Sequence, residues 1–321
     1  MRKEVRLDEL DLLPEDVIRR LEEADILTVE DFVYSDPKHL AEVTGMTEKE
    51  VESLQDELRD AVAEADEVEF RTLDRVERER DRITTGSSAL DEILGGGVGC
   101  GELTEFAGPF GSGKTQIAFQ LCVNVQLPES EGGLEAKAVF IDTEGTISPQ
   151  RIKQMAQAAG LDPGEALRNI YVTQVGSVEE QLQAAKRAYE LCEREDVGLV
   201  AVDSLTAHFR AEFPRLKDVK ERQTMLANHV KDLWKIATDH DVAVVFTNQV
   251  HVDVEAATKG RGRKYEPVGG TIVAHQATHR IMLRRAKGEV RIARVIDSPY
   301  LPQREAPFRI TKEGIRDLQT E

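Results

Sequence analysis

The first 65 positions place apolar residues every third or fourth step, whereas the rest of the chain gathers them into short continuous runs. Val17, Ile18, Leu21 and Ala24 follow Pro14 at helical spacing, so a helix is expected to start there with the proline in its first turn. Thr28-Val29-Glu30-Asp31 has the form of a capping box. Asp36-Pro37 opens another short helix ending near Gly45, and Thr47 with Glu50 caps a long charged helix reaching Ala65. Beyond a highly charged stretch the pattern changes. Residues 138–142, 169–173, 198–203 and 242–246 are apolar runs of strand length, which suits strands covered on both faces. Helical patterns at about 149–160, 178–194 and 221–239 lie between them. The alternation predicts an α/β domain with a mainly parallel sheet over 83–321, preceded by an all-helical domain at 1–65 and a linker at 66–82. Residues 280–285, 289–296 and 306–311 are expected as antiparallel strands at one edge.

Composition narrows the class. The chain has 321 residues, 40% of them hydrophobic and 32% charged, and no apolar run approaches the ~18 residues a membrane helix needs. No secretion signal follows Met1, and Cys100, Cys122 and Cys192 lack metal or redox spacing, so a cytoplasmic, reducing location is expected. Each cysteine reads most simply as a small apolar residue. The net charge of −18 is uneven, because residues 1–66 carry twenty-one acidic against eight basic residues. That balance argues against a general nucleic-acid clamp at this end.

The chemistry concentrates at Gly108-Pro109-Phe110-Gly111-Ser112-Gly113-Lys114-Thr115, which fits G-x-x-x-x-G-K-[ST] between a strand at Leu103–Ala107 and a helix from Thr115 to Leu127. A glycine-rich turn aims backbone N–H groups at phosphate oxygens, with the helix N-terminus adding positive character. Lys114 would reach the outer phosphates and Thr115 would ligate Mg²⁺. Asp203 ends a buried strand and can either hold that metal through its water shell or cap the next helix. Asp142 and Glu144 compete for the role of activating water, and spacing does not choose between them. Gln249 follows another strand and could sense the γ-phosphate. Two basic segments stand out in this acidic chain. Residues 250–268 carry Lys259, Arg261, Arg263 and Lys264, and Phe209 to Lys220 mixes Arg210, Arg215 and Lys217 with Phe209 and Phe213. The first is either a solvated loop or a contact for an anionic polymer; cations beside aromatic rings in the second suit single-stranded nucleic acid.

In family order the chain carries Leu94-Gly95-Gly96-Gly97-Val98, Gly108 to Gln116, Ile141-Asp142-Thr143-Glu144-Gly145-Thr146, Val202-Asp203-Ser204, Thr247-Asn248-Gln249-Val250, Val268-Gly269-Gly270 with Ala274-His275, and Asp297 to Pro302. Together these resemble the RadA branch of the RecA-type recombinases over nearly the whole length. The resemblance implies a RecA-like core with a helix-hairpin-helix-like domain before it, and an ATP- and Mg²⁺-using, DNA-dependent ATPase. Such a protein assembles as a ring or helical filament on single-stranded DNA and pairs it with duplex DNA in recombinational repair. It assigns Glu144 the catalytic role beside Lys114, Gln249 the γ-phosphate contact, Gln116 and Arg151 places at the nucleotide, and Asp297 and Pro302 the cap laid on a neighbour's ATP. His275 falls near that interface, where a structural histidine is the equal alternative. The two basic segments, with Arg222, become DNA-binding, and Phe70 and Leu73 fall on the linker's polymerisation motif.

Three departures stand against the pattern. Leu73 replaces a small alanine whose pocket would be overpacked at a cost of about 1–3 kcal/mol unless enlarged. Pro214-Arg215-Leu216-Lys217 lacks the glycine-flanked arginine of the first DNA loop. Leu13-Pro14-Glu15-Asp16-Val17 has acids where hairpin glycines would meet DNA phosphate, which speaks against DNA binding there. They motivate an alternative, a divergent paralogue that binds ATP and loads or regulates a principal recombinase or mediator. A hexameric helicase, a third reading, would not need the hairpin domain or the Asp297–Pro302 cap.

Overall fold

Short side-chain-to-backbone bonds from Thr28, Asp36 and Thr47 start three helices of the first unit. A computed structural model describes residues 7, 13–24, 26–65, 81–215, 219–252 and 265–318. The chain divides into two compact units, Met1–Val76 and Glu77–Glu321. The first contains α1 (Glu15–Glu23), α2 (Val29–Tyr34), α3 (Pro37–Thr44) and α4 (Glu48–Ala65). At α2 the capping box is complete: Thr28 Oγ1 accepts the Asp31 N–H and Asp31 Oδ2 accepts the Thr28 N–H, both at 3.0 Å. Asp36 caps α3, and Gly45 ends it in the left-handed region at φ 78°. Glu50 and Thr47 bond reciprocally at the start of α4. Pro14 stands one place earlier than expected, as the residue before α1. Leu21, Phe32, Leu40, Val51 and Leu58 form the core of this unit.

The second unit begins with β1 (Arg82–Ile83), α5 (Ser88–Ile93), β2 (Val98–Gly99), β3 (Leu103–Ala107), α6 (Lys114–Asn124) and β4 (Lys137–Asp142). It continues with α7 (Pro149–Ala158), α8 (Pro163–Arg168), β5 (Ile170–Gln174), α9 (Val178–Arg194), β6 (Val197–Asp203), α10 (Ala207–Glu212) and α11 (Val219–His240). After these come β7 (Ala243–Asn248), β8 (Val250–Val252), β9 (Tyr265–Pro267), α12 (Gly270–Gln276), β10 (His279–Arg285), β11 (Val290–Asp297), β12 (Glu305–Thr311) and β13 (Gly314–Arg316).

Nine strands form one sheet in the order β13-β12-β11-β10-β3-β7-β6-β4-β5. From β10 to β5 all neighbours are parallel, and β10 to β13 are antiparallel. Every residue of β6 and β7 is buried, including the polar Asp203, Thr247 and Asn248 that end their apolar runs. By contrast β5, expected to be covered on both faces, is exposed from Val172 to Gln174 because it lies at an edge of the sheet. One apolar core, with Phe106, Phe119, Phe140 and Phe308, covers one face, and a second, with Phe209, Val230, Leu233 and Phe246, covers the other. This is the mixed α/β fold expected, with a helical unit before it. Two expected loops changed. Residues 250–268 begin and end as the antiparallel ribbon β8–β9, and 207–212 are helical. Strand β13 had no clear sequence signal, and α8, which opens at Asp162-Pro163 as α3 does at Asp36-Pro37, was not anticipated.

Candidate nucleotide-binding site

Because β3, β4, β6 and β7 run parallel, their C-terminal ends share one side of the sheet. The phosphate-loop motif follows β3. Gly113 sits at φ 106°, and a Cβ there would lie 2.5 Å from Ile310 Cδ1, so only glycine fits before α6. Gly108 donates its N–H to the Asn248 carbonyl at 3.2 Å, and Arg291 Nε bonds the Gly111 carbonyl at 3.2 Å. Pro109 is half-buried, Phe110 is 91% exposed, and the buried Ser112 Oγ has no hydrogen-bond partner. Lys114 Nζ folds onto the Gly108 and Pro109 carbonyls, at 2.8 and 3.3 Å. Burial pushes its pKa down, while Asp203 and Glu144 pull it back up. Arg151, on α7, donates to Gln116 Oε1 at 2.7 Å and to the Thr311 and Lys312 carbonyls, which fixes its guanidinium beside the first turn of α6.

Asp203 ends β6 almost fully buried. One carboxylate oxygen accepts the Thr247 hydroxyl, and the other, Oδ2, is buried without a partner. Burial raises its pKa; the Thr247 and Thr115 hydroxyls and Lys114 lower it, and Glu144 raises it further. Among the described residues no cluster of three or more His, Cys, Asp or Glu forms a metal cage. An orphaned carboxylate oxygen next to Thr115 fits Mg²⁺, which keeps much of its water and needs few protein oxygens.

The two rival carboxylates have different surroundings. Asp142 is buried, with Oδ1 accepting the N–H groups of Glu144 and Thr146 at 3.2 and 3.1 Å and Oδ2 accepting that of Ile147 at 3.0 Å. Its lone pairs build the turn after β4. Glu144 is exposed and accepts Ser204 Oγ at 2.8 Å, so its carboxylate is the one free to meet water. Gln249, half-buried, takes the Val268 N–H on its carbonyl at 3.0 Å. Asp297, Pro302 and His275 are exposed.

Part of each basic segment lies among the described residues. Arg210 and Arg215 are exposed, and Arg222 is half-buried and donates to the Phe213 carbonyl at 3.3 Å. Arg210, Arg222, Leu226, His251 and Gly269 line one cleft of about 320 Å³, which joins the roots of the two segments. Phe209 corrects the sequence reading: it is 1% exposed and stacked on His229 at 5.9 Å, so it cannot offer its ring to a base. Lys217, Lys259, Arg261, Arg263, Lys264, Phe70 and Leu73 lie outside the described residues.

The family model described as Rad51 matches residues 77–318. The DNA repair and recombination protein RadA of Aeropyrum pernix is 41% identical over 302 residues, covering 93% of this chain and 92% of that protein. The chain belongs to the Rad51 family. A second family model, the N-terminal domain of RAD51D, matches residues 6–56. In this Rad51-family chain, sequence reasoning missed Ser204 and Arg291, which touch Glu144 and the phosphate loop. Ser204 could have been suspected from its place after Asp203, but the approach of Arg291 depends on strand pairing that spacing does not reveal.

Proposed function

We propose that this chain is the ATP-dependent recombinase its family membership describes, with its nucleotide chemistry at the C-terminal ends of β3, β4, β6 and β7. It is a DNA-dependent ATPase of homologous recombination and repair, and it acts on DNA as an oligomer. The observation that carries the site assignment is the convergence there of the phosphate loop, the unpartnered Asp203 Oδ2 and the exposed Glu144.

Gly108 to Thr115 would cradle the triphosphate of ATP, with Lys114 leaving its own loop carbonyls for phosphate oxygens. Thr115 and Asp203 would hold Mg²⁺, which neutralises charge on the phosphates. Glu144, held by Ser204, would orient and deprotonate the attacking water. Gln249 lies between β7 and the ribbon β8–β9, so a contact to the γ-phosphate would act at the root of the second basic segment. Arg151 and Gln116 would flank the base, and Asp297 and Pro302 of a neighbouring copy would cover it. Arg210 and Arg222, with Arg215, Lys217, Lys259, Arg261, Arg263 and Lys264, would contact DNA phosphates. A groove of about 450 Å³ runs along β5, one of the two edge strands of the sheet among the described residues, lined by Val139, Tyr171, Thr173, Ala184, Ala188 and Leu191. Exposed Val172 marks the same edge, and Phe70 and Leu73 of a neighbouring copy would dock there. No helix among the described residues is long and apolar enough to cross a membrane, and we place the protein in the cytoplasm.

The test is a joint-molecule assay with ATP, single-stranded DNA and homologous duplex. Product from this protein alone supports filament-based strand exchange, whereas a strict need for a second recombinase would make it a partner of a paralogue or mediator. In the same system Glu144→Gln should keep ATP binding while hydrolysis falls at least about tenfold. Undiminished turnover would remove Glu144 from the mechanism.

A further inference from the structure

Asn248 belongs to none of the groups that would touch nucleotide or DNA, yet it meets four parts of the molecule at once. Its backbone carbonyl accepts the Gly108 N–H at 3.2 Å, where the phosphate loop begins. Its side-chain Nδ2 donates to Glu105 Oε1 and to the Val268 carbonyl, both at 2.6 Å. Its Oδ1 accepts the Thr206 hydroxyl at 2.9 Å. Asn248 and Glu105 are fully buried, and Thr206 is 1% exposed. Glu105 lies in β3 and is held from the other side by Arg280 Nε at 2.5 Å.

Each bonded group has a place in the proposed machine. Thr206 immediately precedes α10, the root of the first basic segment, and its hydroxyl makes no cap bond to that helix. Val268 closes the second basic segment and also donates its N–H to Gln249. Glu105 and Gly108 belong to the strand and turn that would carry the triphosphate. A buried amide has two donors and one carbonyl oxygen, and here every one is in use. Moving any one root away would leave a polar group unpaired out of water's reach, which is costly. The roots of both basic segments are thereby restrained against the phosphate-loop strand.

We propose that Asn248 is a positioning residue that transmits nucleotide occupancy to DNA affinity, by tying Thr206 and Val268 to the strand that carries the phosphate loop. The proposal rests on the reading of these segments as DNA-binding. It concerns coupling, the factor by which ATP tightens DNA binding, and not either affinity alone.

Asn248 substitutions strip partners from buried Glu105 and risk the fold, so the decisive variants are at Thr206. Thr206→Val keeps the shape and removes the donor to Oδ1, and Thr206→Ser keeps the donor. Binding of a labelled oligothymidylate would be measured with and without a non-hydrolysable ATP analogue, alongside analogue affinity and DNA-free ATPase. The expected result for Thr206→Val is a loss of at least about fivefold in the gain that nucleotide gives to DNA binding. DNA affinity without nucleotide, analogue affinity and DNA-free turnover should stay within about twofold, and Thr206→Ser should restore the gain. A gain retained in Thr206→Val overturns the proposal. So does a loss in which analogue affinity falls equally, since that is damage to the nucleotide site. If the wild-type chain shows no gain at all, the DNA-binding reading of the segments falls with it.

Discussion

Phe110 and Phe209 each stand a few residues beyond a strand that ends on the nucleotide side of the sheet, yet one is 91% exposed and the other 1%. Around Phe110 the conformation is set locally. Gly111 and Gly113 take left-handed φ of 73° and 106°, which side chains rarely adopt, and the Phe110 ring stands exposed at this turn. Around Phe209 nothing local decides. Its ring is buried because α9 and α11 bring Gln181 and His229 beneath α10, and His229 stacks on it. A motif that must meet phosphate constrains its own backbone, and a segment that only follows a strand takes its burial from whatever packs over it.

Four substitutions would break or sharpen that contrast, and the three that act on stability are followed through Trp234, the only tryptophan, on α11 of the second unit. Phe209→Ala should destabilise that unit by about 3–5 kcal/mol, read as a lower urea midpoint; a loss under about 1 kcal/mol would mean that the ring is not part of the core. His229 comes next. Burial holds its pKa down at about 4, so the fold keeps it neutral while an unfolded chain takes up a proton below about pH 6.5. Its contribution is therefore intact above that pH and is lost as the pH falls towards 4, at up to about 1.4 kcal/mol per unit. His229→Gln should flatten that part of the wild-type stability profile, and an unchanged slope between pH 6.5 and 4.5 would refute the assignment.

Arg222→Ala tests the cations of the same region. Single-stranded DNA affinity should fall roughly tenfold and the log–log salt slope should shrink by about 0.7, read by anisotropy across a salt series. An unchanged slope would show that Arg222 meets no phosphate. Smallest of all, Phe110→Ala should leave stability within about 0.5 kcal/mol of the wild type. A larger loss would bring the two phenylalanines closer than their exposures suggest.

What the sequence disclosed follows the same division. The strands β4, β6 and β7 were visible because strands buried on both faces are built from apolar runs, and the caps at Thr28, Asp36 and Thr47 because each bonds within four residues. The choice between Asp142 and Glu144 was not legible, since one ends β4 and the other stands two residues beyond it; three backbone N–H groups occupy Asp142, while Glu144 is exposed. Asn248 was equally silent. Its partners at 105, 206 and 268 are close only once β3 and β7 have paired.

The backing of the phosphate loop comes from far along the chain. Arg291 reaches Gly111 from 180 positions downstream, Ile310 closes on Gly113, and Arg151 is held by the carbonyls of Thr311 and Lys312. During synthesis the glycine-rich turn therefore emerges well before the strands that will brace it. A nascent chain halted at residue 280 would already carry the phosphate loop, Glu144, Asp203 and Gln249 while lacking the wall behind them, so competence arrives late in translation even though the motif appears early.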